Sequence, residues 1–156
     1  MQPGTGAPAG AAYTFRKLTP HEIPAALSLA WEVFSEFETP VYPPEGTEEF
    51  KSCLKNEQYL AGLAYYGAFD GTKLIGQLGI RTRKMHICFF FVKGDYHRRG
   101  IGTSLFALLR RDYPDRAFTL NSSPYGLPFY KALGFIPTDS LQTVNSIDFT
   151  PMKYTP

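Results

Sequence analysis

The sequence predicts an α/β chain of the mixed, α+β kind: one sheet of about seven strands flanked by four helices. Three observations predict it. Apolar residues recur at helical spacing in some segments and as short strand-like runs in others. Turn signals at Asp70-Gly71 and Asn145-Ser146 join neighbouring runs as hairpins. Finally, the runs follow one another in the order β-α-α-β-β-β-α-β-α-β-β, with no internal repeat and no linker. The 156 residues suffice for one domain with a sizeable core. We place that domain at residues 13–156, behind a flexible tail of small residues over 1–12, MQPGTGAPAGAA, which has neither the basic nor the apolar region of a signal peptide.

The elements are justified in turn. Tyr13 to Leu18 reads as a first strand. Thr19-Pro20-His21-Glu22 is a helix start, with a capping Thr, Pro at the first helical position and Glu three residues after the cap. Ile23, Leu27, Ala30, Phe34 and Phe37 then give one apolar face, and Pro24 loosens the first turn. Thr39 to Gly46, with three prolines, reads as a loop, and Thr47 to Asn56 as a second helix with acids early and Lys51 and Lys55 late. Tyr65–Phe69 and Lys73–Arg83 form a hairpin, and His86–Val92 pairs with the strand before it. Ile101, Leu105, Leu108 and Leu109 mark the buried stripe of a helix ended by Pro114. Ala117–Leu120 is a strand. A short helix around Tyr130 follows, closed by the cap glycine Gly134, with a strand beginning at Phe135. Leu141–Val144 and Ile147–Lys153 close the domain as a hairpin.

The most informative stretch is VKGDYHRRGIGTSLF, Val92 to Phe106. A strand enters it and a helix leaves it. Gly100 and Gly102 let the backbone curl and let another group approach closely. The amides of Arg98 to Thr103 become unpaired donors at a helix N-terminus, a ready site for phosphate oxygens, reinforced by the helix dipole and two arginines. A dinucleotide fingerprint is excluded because Thr103, Ser104 and Leu105 follow Gly102 without the third glycine, and no G-K-[ST] makes it a Walker loop.

His97-Arg98-Arg99-Gly100-Ile101-Gly102 resembles motif A, [QR]-x-x-G-x-[GA], of the GNAT superfamily of acyl-CoA-dependent N-acetyltransferases, with His97 in place of the usual Gln or Arg. About thirty residues on, SSPYGLPFYKALGF (Ser122 to Phe135) ends in F-Y-x-x-L-G-F, which looks like motif B of the same family. The resemblance covers roughly Tyr13 to Tyr154. It implies the GNAT fold, a central mixed and mostly antiparallel sheet, and an acetyl group moved directly from acetyl-CoA to an amine in a ternary complex. It implies further that His97, Arg98, Arg99, Gly100, Ile101, Gly102 and Thr103 hold the pyrophosphate, and that the strand ending Phe90-Phe91-Val92 holds the pantetheine arm through its backbone. Tyr130 would protonate the leaving thiolate. Where many members carry an Asn touching the cofactor this chain has Ser123, with Asn121 two residues earlier, and either can substitute. The base stays open between His86, which strand alternation would put on one face with Val92, the acids Glu36 and Glu38, and a chain of water. The alternative reading is a regulatory module that keeps the acyl-CoA pocket without turnover. Members of the family are commonly dimers; no segment marks an interface.

Charge supports a division of labour. Residues 32–57 hold seven acids against two lysines, a balance of −5, and residues 81–116 hold nine bases against three acids, a balance of +6. Polyanionic coenzyme A favours the second region and a cationic amine the first. With Phe34, Phe37, Tyr42 and Phe50 also in the acidic stretch and Trp31 just before it, the expected acceptor is a small cationic amine, polyamine-like or otherwise multiply charged, with Glu36 and Glu38 as the attracting charges. The net charge of +2 excludes the broad basic field of a non-specific nucleic-acid binder. No apolar run approaches a membrane span. Cys53 and Cys88 lie far apart without metal or disulfide spacing, so no metal is expected and a reducing, cytoplasmic setting is the simplest reading.

Overall fold

The computed structural model describes residues 12–156. The tail expected over 1–12 thus lies, apart from Ala12, outside the described residues. The remaining chain forms eight strands: β1 (Tyr13–Lys17), β2 (Leu63–Asp70), β3 (Lys73–Arg81), β4 (His86–Val92), β5 (Phe118–Ser122), β6 (Ile136–Pro137), β7 (Gln142–Val144) and β8 (Ile147–Tyr154). They run in the order β1-β2-β3-β4-β5-β8-β6, with β7 paired to β8. Every pairing is antiparallel except β4 with β5.

The α-helices are α1 (Ile23–Phe37), α2 (Pro44–Cys53), α3 (Glu57–Leu60), α4 (Ile101–Asp112) and α5 (Leu127–Leu133). As the sequence predicts, Thr19 and Glu22 close a capping box, and the chain makes a 3₁₀ turn over Pro20–Glu22 before α1. Two differences have local causes. Pro44 supplies a first helical residue with its φ already set, so α2 begins three residues before the expected Thr47. Asn56 accepts from the amides of Gln58 and Tyr59 and starts a separate short helix, α3, in a stretch to which the sequence pattern assigns no element.

The sheet is covered on both faces. Ile101, Leu105, Phe106 and Leu109 of α4 pack with Leu78, Ile80, Ile87 and Phe118 on one side. Ala26 of α1, Phe50 of α2 and Tyr59 of α3 pack with Tyr65 and Phe89 on the other. The fully buried Gln77 on β3 fixes α1 by donating to the Ala26 carbonyl at 3.1 Å. Among the described residues, no helix is long and apolar enough to cross a membrane.

Candidate active site

The parallel pair at the centre of the sheet is short. β4 and β5 share only His86↔Thr119 and Ile87↔Leu120 before they part. β4 continues to Val92, so its edge from Cys88 onward faces no strand, and its amides and carbonyls there, apart from the Val92 carbonyl that His97 occupies, can hydrogen-bond a ligand. A cavity of about 950 Å³ fills the gap and reaches both faces of the sheet. On one face Phe90 meets Phe129 and Tyr130, with ring centroids 5.5 and 5.9 Å apart. On the other, Phe89 and Phe91 meet Phe50 edge-on at 6.1 and 5.8 Å. All six rings line the cavity.

The glycine loop delivers the expected donors by a geometry that the sequence only half discloses. Arg98 and Gly100 both take left-handed backbone, at φ 63° and 77°. Such alternation curls successive amides toward one point, an anion-binding nest. No side chain caps α4, and its first bond runs from the Ser104 amide to the Gly100 carbonyl. The amides of Ile101, Gly102 and Thr103 therefore have no helical partner. They line the cavity with Arg98, in a cradle that fits the oxygens of a pyrophosphate.

Two neighbours depart from expectation. Arg99 does not reinforce the cradle with its guanidinium, which donates to the Tyr13 hydroxyl at 3.0 Å and stacks on Tyr96; only its backbone is available. His97 uses Nε2 to donate to the Val92 carbonyl at 2.7 Å and packs on Phe37, so it braces the end of β4 rather than pointing to the cradle.

A Cβ at Gly102 would meet the ring of Phe129 at 2.6 Å. Gly102→Val should sharply weaken acetyl-CoA binding, measured by calorimetry on protein with a wild-type melting curve. The companion Gly102→Val/Phe129→Ala removes the ring and should stay weak. Recovery in the double variant would show that the ring had merely been pushed into the cavity.

Tyr130, Ser123 and Glu38 also line the cavity. Glu38 ends α1, its amide bonded to the Phe34 carbonyl, and it is 7% exposed. Its Oε2 accepts from Ser123 Oγ at 2.8 Å, while Oε1 has no partner. Ser123 Oγ is held in turn by the Gly126 amide at 3.0 Å. Burial raises the Glu38 pKa above the ordinary carboxylate range, and the Ser123 bond only partly offsets this. Its place at a helix C-terminus disfavours the charge further. Burial also raises the Tyr130 phenol, and the Glu38 charge adds to that, so Tyr130 keeps its proton. Asn121, on β5, lines the cavity as well.

Not every candidate arrives there. Glu36 is exposed beside Gly94 and does not line the cavity. His86 is likewise absent from the lining; its Nδ1 lies 2.8 Å from Thr119 Oγ1. The expectation that His86 and Val92 share a face fails because β4 carries a bulge. Gly79 faces Phe89 and Ile80 faces Ile87, leaving Cys88 without a partner. The extra residue reverses the alternation. Ile87 and Val92, five residues apart, both pack on the α4 side, which turns His86 to the opposite face. Burial lowers its pKa, followed by the charge of Arg81.

Sequence reasoning missed Cys53, Tyr59 and Cys88, which line the cavity on the α2 side, and Glu49 and Asp148 from α2 and β8. Helical spacing on α2 placed Phe50 and Cys53 together; nothing in the sequence signalled the bulge or the approach of the β7–β8 hairpin. Among the described residues, no three His, Cys, Asp or Glu side chains are grouped to hold a metal.

Comparison with known proteins agrees with this geometry. No curated protein sequence matches the chain. The solved structures similar to it include a GCN5-related N-acetyltransferase from Rhodopseudomonas palustris, 19% identical over 97% of this chain and 100% of that one, with a TM-score of 0.79. The PaiA N-acetyltransferase of Thermoplasma acidophilum, solved with coenzyme A, is 17% identical over 93% and 99%, with a TM-score of 0.70. An aminoglycoside 6'-N-acetyltransferase complexed with coenzyme A is 13% identical over 91% and 96%, at 0.61. These likenesses establish the fold. The family model for the acetyltransferase (GNAT) domain matches residues 38–156, from the buried carboxylate through the last strand. With a parted β4–β5 pair and an uncapped glycine-led helix inside that span, the chain belongs to the GNAT acetyltransferases, enzymes that transfer an acyl group from acyl-CoA.

Proposed function

We propose that the protein acetylates a small cationic amine with acetyl-CoA, by direct transfer while both substrates are bound, as a cytoplasmic enzyme. The observation that supports this most is the buried Glu38 carboxylate, with one oxygen unpartnered, in the same cavity as the protonated Tyr130 phenol. An acid and a base held apart by their surroundings are what acyl transfer to an amine requires.

The cradle of Arg98 to Thr103 holds the pyrophosphate, and the free edge of β4 at Phe90–Val92 holds the pantetheine arm and polarises the thioester carbonyl. Asn121 and Ser123 flank the arm from β5 and the turn after it. Glu38 attracts the ammonium group and accepts a proton from it, which its burial favours. The freed amine attacks the thioester carbon, forming the C–N bond as the C–S bond breaks. Tyr130 gives a proton to the departing sulfur. Of the two protons the nitrogen sheds, one thus replaces that of Tyr130 and the other leaves through Glu38. His86, turned to the other face of the sheet, has no role in this scheme.

The test is release of free thiol from acetyl-CoA over a panel of primary amines, amino acids, aminoglycosides and peptide N-termini. Small cationic amines are expected to lead in kcat/KM. If acidic or neutral acceptors lead, Glu38 does not select the substrate; if none reacts while acetyl-CoA binds, the chain is not an acetyltransferase for these classes.

A further inference from the structure

We infer that the acceptor is a monoamine carrying a flat apolar body, an arylalkylamine, rather than a polyamine; this rests on the acetyl-transfer reading and narrows its substrate. The cavity behind Glu38 is walled by rings. Phe34 and Phe50 stack at 3.9 Å, Phe34 and Tyr42 at 5.6 Å, and Phe50 and Tyr59 each stand edge-on to Phe89 at 6.1 Å. Cys53 and Cys88 complete the inner wall. Burial is the first cause of the raised pKa at both thiols and at Tyr59, though all three keep some exposure. Besides Glu38, two carboxylates border the cavity: Glu49, one helical turn before Cys53 and felt as a charge at that thiol, and Asp148; each accepts a bond from the β7–β8 hairpin, from Asn145 and Thr143.

The cation nearest the inner rings stands behind Tyr59, outside the cavity lining. Arg81 lies against Tyr59, its guanidinium carbon 5.3 Å from the ring centroid, anchored by the carbonyls of Tyr59 and Ala61. A polyamine extended along these rings would desolvate its second cation against apolar surface, and the carboxylate beside Cys53, Glu49, is already bonded to Asn145. An aromatic ring loses nothing there and gains edge and face contacts. Of the seven acids in the 32–57 stretch, five (Glu32, Glu36, Glu45, Glu48 and Glu57) are exposed and only Glu38 and Glu49 border the cavity. One buried carboxylate thus meets one ammonium, and the rings meet the rest.

Phenethylamine, propylamine and spermidine would be compared as acceptors at saturating acetyl-CoA. Phenethylamine is expected to exceed propylamine in kcat/KM by roughly a hundredfold, since even a single methylene in an apolar pocket is worth about tenfold or more. Calorimetry of phenethylamine against the protein loaded with coenzyme A reads the same pocket without turnover. Cys53→Phe fills the inner end and should cut the phenethylamine-to-propylamine ratio at least about tenfold. Cys53→Ala, which leaves the fold less burdened, should shift preference toward ring-substituted phenethylamines. Spermidine outranking phenethylamine would overturn the inference, as would hexanoyl-CoA outranking acetyl-CoA, because the acyl chain would then own the inner end. Thiol release with every amine at similar rates also overturns it while leaving acetyl transfer standing. Phenethylamine binding without thiol release from any amine supports the pocket and sinks the transfer.

Discussion

Glu38→Gln is expected to lower kcat/KM for cationic amines by roughly a hundredfold or more, the usual size of a lost general base, and to remove the acid limb of the pH–rate profile. Gln keeps the shape and can still accept from Ser123, so the cavity should survive. In the wild type, activity should rise with pH through the elevated pKa of Glu38, above the ordinary carboxylate range. Tyr130, whose pKa is also raised, stays protonated throughout this window. If Glu38 merely attracted the ammonium, KM would rise while kcat kept its acid limb. Stability gives a separate reading. A carboxyl whose folded pKa exceeds its unfolded value binds more protons when folded, so stability is full below the unfolded pKa and falls as pH rises through the folded one. The Gln variant should therefore melt above the wild type at pH 8, with the difference shrinking as pH drops toward 4. Equal melting curves at both pH values would show that the carboxyl is not buried as a charge.

Tyr130→Phe should lower kcat by roughly a hundredfold with acetyl-CoA affinity nearly unchanged. The ring packs against Phe90, Phe129 and Phe135, with centroids 5.3 to 5.9 Å away, and Phe preserves all three contacts. Only the proton donor is lost. Single-turnover measurements isolate the chemical step from product release. Wild-type turnover in that assay would mean that water, or a different group, protonates the sulfur. Combining this variant with Glu38→Gln should cost less than the sum of the two, because the charge of Glu38 also raises the Tyr130 pKa.

The elements that a local pattern controls were readable in the chain. The capping box at Thr19 and Glu22, the strand His86–Val92, the glycine-led helix α4 and the Gly134 cap all follow from residues within one or two turns of each other. Tyr130, Arg98 and the stretch Gly100–Thr103 reach the cavity because two specific motifs carry them. What failed was long-range. The bulge at Cys88 is set by pairing with β3, and it reverses which face His86 occupies. Arg99 is drawn from the cradle by Tyr13, 86 residues away. Glu36 and Glu38 are neighbours in the chain, and only the end of α1 decides that one is solvated and the other buried.

The parting of β4 from β5 has a mechanical consequence. Antiparallel ladders run through β1–β4 and again through β5–β8, and two register pairs join the blocks. The sheet is thus two panels zipped at one end, with α4 as the strap between them. On the proposed binding mode, a pantetheine arm lying along the open edge would supply the hydrogen bonds that a longer strand would have made, and would work as the missing length of zip. Because such a ligand binds the folded panels and not the unfolded chain, resistance to heat rises with its concentration. On that binding mode the supply of acyl-CoA would become a structural component of the protein, and its withdrawal would loosen the same seam through which the proposed chemistry passes.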